Sequence, residues 1–298
     1  MKYVVRASEL NLRSSPRVVS TNRIGLLPRG HEVELLEKAA APWWKIRTRL
    51  DGTPVEGYVS SAYLVAGPEK APPEAVAKKL VEVHLQTSQP VTRGRDGGRA
   101  FALNEAGAPR RDARTPAARA AQLLEIVHWL RVDRSARYLR KGSSTFCNIY
   151  SYDYCFLAGA YLPRVWWTAT AISALNSGRS VAVVYDQTVR ELNANSLHDW
   201  LPEFGPQFGW RREFDLDALQ AAANAGAVCL VSGKNANSES PGHICPVVPE
   251  KGTRQADRRN GRVHAPLQSN AGRENFQFGT PRWWTSATFR STSFWIHD

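Results

Sequence analysis

Thr145-Phe146-Cys147-Asn148-Ile149-Tyr150-Ser151-Tyr152-Asp153 decides how this chain of 298 residues is read. It follows the turn Gly142-Ser143-Ser144 and opens a largely apolar and aromatic run, Asn148 to Tyr161, of helix length. Ser144 or Thr145 is a natural N-cap. Cys147 then falls in the first helical turn, where free N–H groups and the positive dipole end favour a thiolate. A thiolate in that position suits covalent catalysis. The alternative is a small buried thiol in an aromatic helix, the usual fate of free cysteine.

Downstream, the turn Ser238-Glu239-Ser240-Pro241 leads into Gly242-His243 and the apolar run Ile244-Cys245-Pro246-Val247-Val248. An imidazole at the mouth of a strand can accept a thiol proton. Pro246 points to an edge strand or a bulge, because it lacks a ladder donor. A third group should orient the ring. Gln268 and Asn270 end a strand expected from Val263 and share one face by alternation. Gln268 is favoured, because Asn270-Ala271-Gly272 reads as the following turn. His31, His128, His198, His264 and His297 are lesser candidates for the base.

The run Cys147 to Asp153 resembles the Cys-Asn-x-Phe-x-x-Asp signature of some NlpC-type and CHAP-type cysteine peptidases and amidases. Gly242-His243-Ile244 resembles their Gly-His-Val/Ile strand. The likeness spans roughly residues 85 to 298, and its specific part is about a dozen residues. It implies a papain-like α+β core, no cofactor, and a Cys-His-polar triad. Such enzymes cleave peptidoglycan stem peptides or the sugar–peptide amide, with the endopeptidase favoured by family tendency. Cys147 would be the nucleophile, His243 the base, and Gln268 or Asn270 the orienting group. Asn148 and Tyr150, the latter in the place of the usual Phe, are expected to meet substrate.

Residues 1 to 66 carry short Val-, Leu-, Ile- and aromatic-rich runs broken by Ser-Pro, Pro-Arg-Gly and Asp-Gly turns, which predicts a small all-β barrel. Leu10-Asn11-Leu12-Arg13-Ser14-Ser15-Pro16, Trp43-Trp44-Lys45-Ile46 and Gly57 to Leu64 resemble the bacterial SH3-like family. That resemblance implies a wall-targeting module with peptidoglycan as partner. Of Trp43 and Trp44, adjacent strand residues, one is expected in the core and the other at the surface, where it would touch ligand. Gly67 to Pro73 reads as a linker, extended to residue 84, and Glu74 to Val83 as a short amphipathic helix.

A formal charge of +12 calls for an anionic partner. Its scattered placement, without a nucleic-acid motif, favours an anionic cell envelope over nucleic acid. Met1-Lys2-Tyr3 runs directly into the barrel with no secretory leader. A wall enzyme made in the cytoplasm without a leader would reach the periplasm or wall by lysis or non-classical export. A secretion apparatus or an immunity protein is then a conceivable partner. Cys147, Cys155, Cys229 and Cys245 show no paired C-x-x-C spacing, which argues against a structural metal. Cys155, Cys229 and Cys245 read as small core residues.

Between the motifs, residues 88 to 114 form a long irregular segment, either a substrate-lining arm or a covering loop. Thr115-Pro116 is an N-cap and N1 pair. Further helices are expected near Ala169 to Asn176, from Ser196, and over Asp215 to Ala225. Strands are expected over Val181 to Tyr185, Ala227 to Ser232, His243 to Val248, Val263 to Gln268 and Ser293 to His297. Helices first and an antiparallel sheet after is an α+β layout.

Overall fold

The computed structural model describes residues 2–7, 9–19, 21–39, 41–50, 53–66 and 80–298. The chain divides into two compact units, Met1–Ala77 and Lys78–Asp298.

The first unit is all-β. Its strands are β1 (Lys2–Val5), β2 (Glu9–Arg13), β3 (Arg23–Pro28), β4 (Glu32–Lys38), β5 (Trp43–Leu50), β6 (Thr53–Ser60) and β7 (Leu64–Ala66). They form one antiparallel sheet in the order β3-β2-β6-β5-β4-β1-β7. Alternation sends Leu10 and Leu12, Ile46, and Val59 inward, where they meet Val5, Leu27 and Val33.

The second unit is α+β. Helix α1 (Pro116–Leu130) begins as its sequence dictates: Thr115 accepts a hydrogen bond from the Ala118 N–H, and Pro116 takes the first helical position. Next come α2 (Cys147–Leu157), β8 (Val165–Trp167), α3 (Ala169–Asn176), β9 (Val189–Glu191) and α4 (Ala194–Glu203). They are followed by β10 (Trp210–Glu213), α5 (Leu216–Asn224), β11 (Val228–Asn235), β12 (His243–Val247), β13 (Asp257–Arg259), β14 (Arg262–Ala265), β15 (Gln268–Asn270), β16 (Phe276–Gly279) and β17 (Phe289–His297). The main sheet is antiparallel, in the order β10-β17-β11-β12-β15-β16. One face of this sheet packs with α1, α2 and α4 in the larger core, and the other packs with α5.

Several local expectations need correction. Residues 80–84 are not linker in character: Leu80 and Val83 are buried in the second unit's core, and the Val83 N–H donates to the Tyr161 hydroxyl at 3.0 Å. The rest of the expected linker and of the Glu74–Val83 helix lies outside the described residues, and residues 80–83 are not helical. Val181 to Tyr185 forms no strand; Val183, Val184 and Tyr185 are exposed, and Tyr185 makes only an isolated bridge to Val189. The Val263–Gln268 run splits into β14 and β15. Strand β12 is interior, not an edge. Pro246 is tolerated because the Ile244 amide points at α2, so a nitrogen two residues on also points away from β11.

Segment 88–114 is irregular but tightly held. Arg137, fully buried, donates to the Gly97, Gly98 and Phe101 carbonyls and to the Asp153 carboxylate on α2. No described helix is long and apolar enough to cross a membrane.

Candidate active site

Helix α2 starts at Cys147 with Phe146 as N-cap and no side-chain cap, rather than with Ser144 or Thr145. The reason is local: Lys141 and Ser144 exchange both backbone hydrogen bonds, closing a tight turn that ends at Ser144. The ring of Phe146 is covered instead by the Arg99 guanidinium, 3.7 Å from its centroid.

Cys147 is 4% exposed. Its sulfur faces the amide groups of Ile244, Asn148 and Cys147 itself. Burial nevertheless pushes the thiol up, with those amides only partly opposing it. The expectation that the helix start makes a resting thiolate is therefore reversed, because desolvation outweighs the dipole.

His243 is the first residue of β12 and is only partly buried. The sulfur of Cys147 thus lies against the peptide that joins His243 to Ile244. The ring nitrogen Nε2 is 2.7 Å from Asn270 Oδ1. The Asn270 amide is oriented by its other end, since Nδ2 donates to the Glu274 carbonyl at 2.9 Å. Oδ1 therefore accepts, Nε2 carries the proton, and Nδ1 is left with the basic lone pair. The indole of Trp283 meets the imidazole edge-to-face at 4.5 Å between centroids. Loss of water around the ring lowers its pKa to about 4, against the opposing effect of the Asn270 bond. At neutral pH Cys147 is a thiol and His243 a neutral imidazole.

Gly242 must be glycine. A Cβ there would stand 2.4 Å from Asn195 Oδ1 and 2.5 Å from the Gly233 carbonyl, so any side chain would displace the strand that presents His243.

Gln268 does not orient His243. Its Oε1 accepts from Cys245 Sγ at 3.3 Å and Trp283 Nε1 at 2.9 Å, while Nε2 donates to the Pro266 and Pro281 carbonyls. Register explains this: Gln268 pairs with Val247 at the far end of β12, and the antiparallel direction carries Asn270 back toward His243.

Tyr150 is fully buried and its hydroxyl lies 2.5 Å from Ser269 Oγ, so it is a core residue and not a substrate contact. Asn148, partly buried, donates to the Leu192 carbonyl at 2.9 Å. In the first unit Trp43 and Trp44 are both half-buried, rather than one in and one out. Trp44 packs edge-to-face on Tyr3 at 4.7 Å.

His198 lies in a buried network with Ser232 and Ser291, both at 3.0 Å, and His264 sits on the separate β13–β14 hairpin. All four cysteines are free and buried. Two contributors escaped the sequence reading. Trp283 was visible only as half of an aromatic doublet. Asp153 was read as the last residue of the Cys147 motif, but without its partner Arg137, which a buried acid demands.

Comparison with known proteins adds to this geometry. Residues 8–65 match the family model of the bacterial SH3 domain. No curated protein matches the chain. Among solved structures, the chain is similar to NlpC2 from Trichomonas vaginalis, with 11% identity and a TM-score of 0.24, over 99% of this chain and 72% of that one. It is similar to NlpC1 from the same organism at 11% identity and a TM-score of 0.25, over 100% of this chain and 69% of that one. Scores this low describe a loose likeness and assign no fold. The amino-terminal unit contains a bacterial SH3 domain, and an α+β unit carrying Cys147, His243 and Asn270 follows it.

Proposed function

We propose that this protein is a papain-like cysteine hydrolase of peptidoglycan that cuts an amide bond of the stem peptide. The observation that carries the reading is the oriented imidazole: Asn270 fixes Nε2–H, which leaves Nδ1 as a base on the residue whose peptide touches the Cys147 sulfur. In the mechanism, Nδ1 takes the thiol proton as sulfur attacks the amide carbonyl. The backbone N–H groups at the start of α2 receive the developing oxyanion. The imidazolium then protonates the departing amine, leaving a thioester that water hydrolyses with His243 again as base. Because both groups rest neutral, the proton moves only as the substrate arrives.

The SH3 unit would hold the enzyme on peptidoglycan, with Trp43 as the candidate contact, and the site of action would be the periplasm or wall. Cys147→Ala, assayed on purified sacculi with mass spectrometry of the released muropeptides, tests the reading. Loss of new amine termini in the variant supports it. Activity above a tenth of wild type refutes it. One observation favours a second reading, a wall-binding protein without catalysis: the Cys147 sulfur is nearly closed to solvent. A wild-type protein that sediments with sacculi and releases nothing would establish that alternative.

A further inference from the structure

Helix α2 begins at the proposed nucleophile without a side-chain cap, and Phe146 holds the capping position at φ −123° and ψ 38°. A first turn without a cap depends on outside contacts for its position. The two neighbours of Cys147 supply them. The Phe146 ring lies under the Arg99 guanidinium, 3.7 Å from its centroid, and Asn148 Nδ2 donates to the Leu192 carbonyl at 2.9 Å.

Arg164 joins these two contacts. Its Nε donates to the Arg99 carbonyl at 2.7 Å, and Nη1 donates to the Leu192 carbonyl at 3.0 Å, so Arg164 and Asn148 share one acceptor. Nη2 pairs with the Glu191 carboxylate. Contacts therefore run in a closed ring: from Arg99 to Phe146, along the chain through Cys147 to Asn148, and back through Leu192 and Arg164. Arg164 is 5% exposed and takes no part in the catalytic steps. Burial lowers its pKa to about 10, which leaves it charged at neutral pH. A buried cation is costly unless its donors are taken, and here three nitrogens go to three separate partners. The ring is braced from behind. The Leu192 N–H donates back to the Arg164 carbonyl at 3.1 Å beside the pairing of Val165 with Glu191, and Arg99 Nε donates to the Arg137 carbonyl at 2.9 Å.

We propose that Arg164 is a positioning residue for the nucleophile: by tying the Arg99 and Leu192 carbonyls together it fixes Phe146 and Asn148, and so the backbone of Cys147 between them. This rests on the cysteine-hydrolase reading and adds a residue that acts on the reaction only through others. It also makes segment 88–114, which carries Arg99, part of the nucleophile's support. The planar guanidinium spans acceptors that lie apart, whereas a lysine ammonium at the same place is a single point of charge. Misplacing an attacking atom by about 1 Å costs up to about a hundredfold in rate, so a slack ring is felt in kcat before it is felt in binding.

The test uses the full chain as Arg164→Lys, which keeps the charge, as Asn148→Ala, and as the double variant. Each single change should lower kcat on a soluble muropeptide by about tenfold to a hundredfold and leave KM nearly unchanged. The double variant should be little worse than the worse single one, because both changes act on the Leu192 carbonyl. Iodoacetamide at pH 9 should modify Cys147 faster in every variant, since a loosened helix start uncovers the buried sulfur. Arg258→Lys, which alters the ion pair with Glu250, should move neither readout. Unchanged kcat and alkylation in either single variant overturns the assignment, as do losses that simply multiply in the double variant. If Arg164→Lys does not fold, Asn148→Ala decides by the same two readouts. A wild type that cleaves neither muropeptides nor sacculi removes the hydrolase reading, and alkylation then decides: faster modification in the variants supports the ring, and unchanged modification overturns it.

Discussion

Arg137 Nε lies 2.6 Å from Asp153 Oδ2, and neither side chain is exposed to solvent. The Tyr138 hydroxyl adds a bond to the same oxygen at 2.9 Å, and the remaining guanidinium donors take carbonyls of segment 88–114. This pair fastens the irregular arm to the helix that begins at Cys147. Removing one partner would leave a buried charge without compensation. Asp153→Asn should cost about 3–5 kcal/mol, or roughly 10 °C in thermal midpoint. Calorimetry checks it, and a change under about 1 kcal/mol would show that water reaches the pair.

Asn270 and Gln268 lie on one strand and should fail differently. Asn270→Ala removes the acceptor that holds the imidazole and should lower kcat/KM on muropeptides by about tenfold to a hundredfold, with a small change in stability. Gln268→Ala leaves Cys245 and Trp283 without their acceptor and should lower the unfolding midpoint more than it lowers kcat/KM. The reverse ranking would return Gln268 to the site.

Cys147 should behave as a protonated thiol at rest. Burial raises its pKa, so iodoacetamide should modify it slowly at pH 7 and faster as the pH rises above 9. Full-length protein with Cys155, Cys229 and Cys245 unmodified, mapped by peptide mass spectrometry, gives the rate. Rapid alkylation at pH 6 would mean a preformed thiolate–imidazolium pair.

Acid should destabilise the second unit through its histidines. His243 and His198 are both lowered to about 4 by loss of water, against an ordinary value of 6.5. The unfolded chain then binds more protons than the native one between those limits. Stability is full above pH 6.5 and falls as pH drops toward 4, by on the order of 3 kcal/mol for the buried His198. Urea unfolding at stepped pH measures the slope, and His198→Gln should flatten it.

Much of the frame was legible because it is local. Thr115-Pro116 sets a helix start by itself, and α3 ends before Gly178 where a left-handed residue is needed. The order of Cys147 and Gly242-His243 marked the candidate site that is proposed above, since a helix start and a strand mouth are properties of short segments. What could not be read was register. Gln268 and Asn270 look equivalent by alternation, and only the pairing of Gln268 with Val247 separates them. Burial was equally hidden: the thiol's surroundings come from β12, distant in sequence, so the helix start alone gave the wrong sign for its ionisation.

Ile244 has one further consequence. Its amide faces the Cys147 sulfur, and its carbonyl accepts from Ser151 Oγ at 3.2 Å, one helical turn further along. Helix and strand are stitched together at both ends of a single residue. Sliding α2 along β12 would break both links at once, so the backbones that carry sulfur and imidazole travel as one body. The separation between them is left to the torsions of two side chains that are themselves packed, Cys147 by burial and His243 by Asn270 and Trp283. Access to the closed sulfur must then come from movement around this joined pair of backbones and not from movement between them.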